Sequence, residues 1–139
     1  MNTEKVYLLN FGAILSDNII QAIKEDHKIQ EIEQIHITAS LNLRQHSTYI
    51  QVHDIVERYK DYFLSSTPVI VNCPGLPIYV AHLLTEISAL TGKLPVILEC
   101  IKDYDADGIF SKFKYKRLYE LSRERTWSRE NFKRGRTKQ

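Results

Sequence analysis

The stretch Val69 to Pro77, VIVNCPGLP, constrains this chain more than any other. A run of strand-forming apolar residues meets two prolines and a glycine, and an amphipathic run begins at once at Ile78. A segment as apolar as Pro68 to Asn72 has no solvated face, which predicts a central strand in a sheet covered on both sides. Pro77 falls where the first helical turn tolerates a missing N–H, and Val80, Leu83, Leu84, Ile87 and Leu90 continue the helix until Gly92 closes it. Strand, stiff bend and helix together make the half-unit of an α/β fold.

The rest of the chain repeats that alternation. Lys5 to Asn10 reads as a strand, followed by a helix with Ser16 as N-cap, Asp17 in its first turn, and Ile19, Ile20 and Ile23 inward until about Asp26. Glu31 to Thr38 alternates apolar and polar residues, the pattern of a strand nearer an edge. Tyr49, Val52, Ile55, Val56, Tyr59, Tyr62 and Phe63 recur at three and four, predicting one helix with its tyrosines on the core face. Pro95 to Cys100 is a fourth strand, Asp103 to Gly108 a surface turn, and Lys114 to Arg129 a basic helix. With no repeat or linker, residues 1–132 form one domain and 133–139 a flexible tail. The expected fold is a doubly wound, mainly parallel, Rossmann-like α/β sheet with a basic C-terminal helix.

Composition narrows the chemistry. Cys73 and Cys100 are the only cysteines and share no zinc-ligand spacing, so no metal or cofactor is expected and a reduced, cytoplasmic setting is. The first residues, with Glu4 and Asn10 interrupting the apolar run, resemble neither a signal peptide nor a membrane span. The net charge of +2 hides an asymmetry: residues 112–139 hold eleven Lys and Arg against three Glu, and residues 1–111 eight bases against fourteen acids. Such a tail suits the phosphates of a nucleic acid or nucleotide, and equally the acidic body of its own or a neighbouring subunit.

In a sheet of this kind ligands sit beyond the carboxyl ends of the strands, where the strand order reverses. Asn10-Phe11-Gly12, Thr38-Ala39-Ser40 and Asn72-Cys73-Pro74-Gly75-Leu76 arrive there. Gly12 and Gly75 permit close approach or positive φ, and Pro74 and Pro77 stiffen a bend whose free N–H groups near Gly75 and Ile78 would accept an anion. A tight turn that holds no ligand fits the same residues. No Gly-Lys-Ser/Thr follows, and no three-glycine dinucleotide fingerprint is present. Asn10 stands where a phosphoryl-transfer site would need an aspartate. The histidines at 27, 36, 46, 53 and 82 share no ligand spacing, leaving His82 and His46 as the two within reach of this edge. Cys73 follows an apolar strand without a neighbouring base and reads as a packed thiol.

VYLLNFG at 6–12, VNCPGLP at 71–77 leading into AHLLTEISALTGKLPVIL at 81–98, and YKRLYELSRER at 115–125 together resemble a small family of accessory proteins of type III CRISPR systems, related to the CARF-fold ring nucleases. The chain departs from that family at Ala13 and Ile14, where a histidine and a proline are usual, which speaks against catalysis from the first loop. The resemblance implies binding of cyclic tetra-adenylate by a homodimer, since a ring of four adenylates has near two-fold symmetry. On this basis the ligand-binding residues are Asn10, Phe11, Gly12, Thr38, Ser40, Arg44, Asn72, Pro74, Gly75, Leu76, Arg123 and Arg125. The expectation is sequestration of the messenger, damping the defence signal. A slow metal-independent ring nuclease, which needs only in-line placement of the ribose 2′-hydroxyl, is the runner-up. A nucleic-acid adaptor working through the basic tail is the third reading, and head-to-tail contacts between tail and body would give filaments.

Overall fold

The computed structural model describes residues 3–38, 40–44 and 47–133. Five strands form one sheet in the order β2-β1-β3-β4-β5: β1 (Thr3–Asn10), β2 (Ile29–His36), β3 (Val69–Asn72), β4 (Val96–Tyr104) and β5 (Phe110–Glu120). The first four are mutually parallel and β5 returns antiparallel to β4. The helices between them are α1 (Asp17–His27), α2 (Thr48–Arg58), α3 (Lys60–Leu64) and α4 (Pro77–Thr91), with α5 (Leu121–Asn131) last.

Alternation along the strands assigns the two faces. Val6, Leu8 and Ile70 turn toward α1 and pack with Ile19, Ile23 and Ile29, whereas Leu9 and Val71 turn the other way onto Val52, Ile55, Leu83 and Ile87 of α2 and α4. The connection from β1 runs outward to β2 and that from β2 runs back past β1 to β3. Helices on opposite faces are what a single crossover hand demands of opposite directions of travel.

Local signals in the sequence set the helix ends. The Ser16 hydroxyl accepts the Ile19 N–H at 3.4 Å, and Gly92, at φ 79°, closes α4 with its N–H on the Ser88 carbonyl at 2.8 Å. Lys28 ends α1 in the left-handed region at φ 55°, a conformation in which a side chain is strained.

Two expectations need correction. The second helix is interrupted at Tyr59, and α3 turns Tyr62 onto Tyr7 in an edge-to-face contact of 5.0 Å, while Tyr49 lies exposed instead of in the core. The basic helix begins only at Leu121, because Lys114 to Glu120 belongs to β5. Tyr115, Leu118 and Tyr119 satisfy a helical spacing, but Lys112-Phe113-Lys114-Tyr115-Lys116 also alternates strictly, and pairing with β4 decides between the periods. Tyr115 then reaches across to α1, donating to Asp26 Oδ2 at 2.5 Å, with His27 Nε2 at 3.1 Å. Burial and the Asp26 carboxylate push its phenol far above the ordinary tyrosine range. Ser122 anchors the start of α5 by accepting the Leu94 N–H at 2.9 Å and donating to the Leu94 carbonyl at 3.2 Å. Residues 134–139, most of the expected flexible tail, lie outside the described residues.

Among the described residues, Tyr79 carries a buried hydroxyl without a hydrogen-bond partner. Its ring packs edge-on against Phe11 at 6.2 Å, so the apolar part of the side chain is used and the polar tip is not. Tyr79→Phe therefore keeps the packing and removes an orphan group. Denaturant unfolding should show stability unchanged or raised by up to ~1 kcal/mol, and a loss of more than that would mean the hydroxyl has a partner in solution.

Candidate functional site

The chain leaves β1 toward α1 on one face and leaves β3 toward α4 on the other, so the strand order switches between the carboxyl ends of β1 and β3. Register sets Asn10 beside Asn72 there, with His36 on its other side. Asn10 is only 1% exposed, a polar side chain in an otherwise apolar sheet centre. Such a group is costly unless its hydrogen bonds are made.

Asn10 makes them all. Its Oδ1 accepts from the Gly12 N–H at 2.9 Å and from Asn72 Nδ2 at 2.8 Å, while its Nδ2 donates to the Ala13 carbonyl at 2.9 Å and to Gln34 Oε1 at 3.0 Å. A backbone N–H and a backbone carbonyl cannot exchange roles, so Gly12 and Ala13 fix which end of the amide is oxygen. The orientation of the neighbours follows: Asn72 turns Nδ2 to the hub and Gln34 turns Oε1. Among the described residues, Asn72 Oδ1 and Gln34 Nε2 are then left without a partner, and neither is sealed from solvent. All three amides share the α1 side of the sheet, since Asn10 and Asn72 lie two residues beyond Leu8 and Ile70, and Gln34 pairs with Leu8.

Gly12 is required by contact. A Cβ there would stand 2.6 Å from the Cys73 carbonyl oxygen and 3.1 Å from Asn72 Nδ2. The β1–α1 and β3–α4 connections thus touch at their bases, and the ground for a ligand is the rim above. Gly75 differs from expectation: a Cβ would meet nothing within 4 Å, and Gly75 is not among the positive-φ glycines. The bend at Pro74–Gly75 leads into α4 without a side-chain cap; Leu76 receives only the Val80 N–H on its carbonyl, at 3.1 Å. The first turn of α4 therefore keeps unsatisfied donors toward this edge.

Thr38 and Ser40 are exposed just beyond β2 on the same edge, as is Arg44, whose backbone N–H bonds Asn42 Oδ1 at 3.0 Å. Phe11 is buried against Tyr79, so it supports the rim from below and presents no face to a ligand, whereas Leu76 is exposed. Arg123 and Arg125 are not brought here. β5 ends beside the start of β4, so α5 begins at the opposite edge of the sheet, where Arg123 bonds Glu120 at 2.9 Å. Ala39 and His46 lie outside the described residues. His82 stands half-buried near the Tyr49 ring, 6.3 Å away, and His53 bonds Glu86 at 2.6 Å between α2 and α4, a hydrogen bond that raises its basicity. Burial pushes the Cys73 thiol up, keeping it protonated.

Exposed apolar side chains rim the same edge: Ile14 after β1, Leu43, Tyr49 and Ile50 after β2, and Leu76 and Ile78 after β3. A cavity of about 340 Å³ lies at the other end of β3, lined by Phe63, Pro68, Leu94 and Val96 among others. Two of its hydroxyls, Ser65 and Thr91, are occupied by local turn hydrogen bonds. The chemistry therefore favours the amide rim over this hollow. Gln34 is the residue that sequence reading missed; its signal was a polar side chain at an inward position of a strand. Among the described residues no three His, Cys, Asp or Glu are grouped to hold a metal ion. No family model and no curated protein matches this chain.

Two substitutions test the hub. Gly12→Ala should cost ~1–3 kcal/mol in denaturant unfolding, because the contact it creates is with backbone. Asn10→Asp sets an acceptor against the Ala13 carbonyl and buries a carboxylate, so stability should fall by ~3 kcal/mol at neutral pH. The introduced carboxyl would have its pKa raised in the folded state, and the deficit should shrink as the pH drops from 7 toward 4. A deficit independent of pH would mean that the carboxylate is solvated.

Proposed function

We propose that this chain binds cyclic tetra-adenylate at the rim where β1 and β3 diverge, and sequesters it. The observation that carries this reading is the pair of amide atoms left without a partner, among the described residues, on the two side chains that Asn10 holds: one acceptor, Asn72 Oδ1, and one donor, Gln34 Nε2. Adenine has a partner for each, an amino donor for the one and a ring-nitrogen acceptor for the other, and the two atoms, on β3 and β2, would meet different groups of the ring. Uncapped N–H groups at the start of α4 and the Arg44 side chain supply favourable ground for phosphates, and Thr38 and Ser40 for ribose hydroxyls.

The finer fold reading, Rossmann-like and related to CARF domains, draws support from the 2-1-3 order of the parallel strands and from a site at their switch point. The exposed apolar residues around the rim favour a homodimer in which two copies close over the ring, each offering its amides to half of a near two-fold ligand. Arg123 and Arg125 have no role in this site within one copy.

Holding is favoured over cutting because the buried groups at the rim are neutral amides and a protonated thiol, and the imidazole beside Asn10, His36, is exposed and among the described residues has no hydrogen-bond partner to orient it as a base. A base placed to take the ribose 2′-proton is what a nuclease would need to gain more than orientation. Calorimetry with purified protein should give micromolar or tighter binding of the intact ring. Asn72→Ala should weaken it at least tenfold, with a thermal melt confirming the fold. Incubation with labelled ring in EDTA separates the readings: ring recovered intact supports sequestration, and linear products over many turnovers establish a nuclease. Absence of binding by the wild-type chain would overturn both.

A further inference from the structure

The β4–β5 hairpin outgrows the sheet that carries it. β3 pairs with β4 only through Val96 and Ile97, so the six residues from Glu99 to Tyr104 and their β5 partners extend beyond the carboxyl edge by about 20 Å. Its inner part, with Cys100 and Tyr115, packs against α1, but farther out the arm buries little of its surface, and the apolar side chains there need another reason.

The two faces of the arm differ. On one, Asp103 is paired with Lys112 across the strands and lies 3.7 Å from Lys114 Nζ, while nearer the sheet Glu99 lies 3.7 Å from Lys116 Nζ. Two acids there face three lysines, so that face is polar and keeps a net positive charge. On the other, Tyr104, Phe110 and Phe113 form a chain of edge-to-face rings with centroids 6.4 and 5.1 Å apart. They remain 55%, 46% and 45% exposed, so their mutual contact leaves much of each ring uncovered. Lys102 stands directly across from Phe113 and, among the described residues, has no ion pair. Asp105, at the turn, spends its carboxylate on the N–H groups of Asp107 and Ile109, both at 2.9 Å.

We infer that this aromatic face of the β4–β5 arm is a docking surface for single-stranded nucleic acid, with unpaired bases stacking on Tyr104, Phe110 and Phe113 and Lys102 meeting the phosphate chain. Three exposed rings in sequence beside an unpaired cation, with no acid among the strand residues that share their face, are the elements of a stacking platform; carboxylates border it at Asp105 and Asp107 of the turn and at Asp26, on the Tyr115 hydroxyl. A duplex hides its base faces and has nothing to offer the rings. The surface uses none of the Asn10, Gln34 and Asn72 amides and does not depend on the function proposed for them.

Fluorescence anisotropy with fluorescein-labelled 15-mers of oligo(U) and oligo(dT), and a duplex of equal length, tests the inference on the full chain at 50 mM salt. Both single strands should bind, with the duplex at least tenfold weaker; a preference between them reports the 2′-hydroxyl. Phe110→Ala and Phe113→Ala should each weaken binding about tenfold, and Lys102→Ala should flatten the salt dependence of log K by about 0.7. The Lys102 variant keeps the inference testable if loss of a ring unfolds the arm. Calorimetry with cyclic tetra-adenylate should be indifferent to all three. No binding of either single strand, equal binding of duplex, or unchanged binding by the ring and lysine variants would overturn the inference. So would sedimentation showing that the ring variants dissociate an oligomer while strand binding stays as it was, since a second copy would then cover the face.

Discussion

An amide closed off at the centre of an apolar sheet governs the rest of this molecule. Asn10 ends the first strand, and all four of its hydrogen-bonding positions are taken, two by the backbone just ahead of it and two by side chains of the neighbouring strands. Those bonds hold the ends of β1, β2 and β3 in one register at the edge where the loops depart. They also fix the tilt of the β1–α1 connection so tightly that Gly12 rests on the Cys73 carbonyl. A half-satisfied network here would be worse than an apolar core, so the arrangement is rigid where it is buried and free only at Asn72 Oδ1 and Gln34 Nε2.

That rigidity gives the edge its chemical character. The buried amides present direction without charge, and the ionisable side chains of the edge, His36 and Arg44, stand exposed outside them. Around them stand exposed apolar residues from three connections, and the site in one copy is an open rim instead of an enclosed pocket. The sheet is also asymmetric along its width. Its parallel half carries the rim, whereas its antiparallel corner sends a hairpin past the edge and turns the chain back, so that the arginines of α5 start from the far end.

Much of this was legible in the residues. Pro68 to Asn72 could only be a central strand, Ser16 and Gly92 mark helix ends, and the alternation of elements alone picks out the segments that follow β1, β2 and β3. The two helices that depart from the pattern share one cause. Tyr49 to Phe63 and Tyr115 to Leu121 carry bulky residues at spacings that fit a helix, yet Tyr62 turns on Tyr7 and Tyr115 on Asp26, partners more than fifty residues away in sequence. Periodicity records which residues are apolar; the partner decides which period is used.

The sequence by itself determined that the chain alternates strand and helix, that β3 is buried, and that Asn10 and Asn72 end their strands, because propensity, capping and hydrophobic patterning act over a few residues. Only the tertiary structure decided that those two asparagines face each other, that Gln34 joins them, that Gly12 and not Gly75 is the glycine the packing requires, and that Arg123 and Arg125 stand at the opposite edge. Each of these depends on strand order and register, which are set by contacts between distant segments and leave no local mark on the residues they bring together.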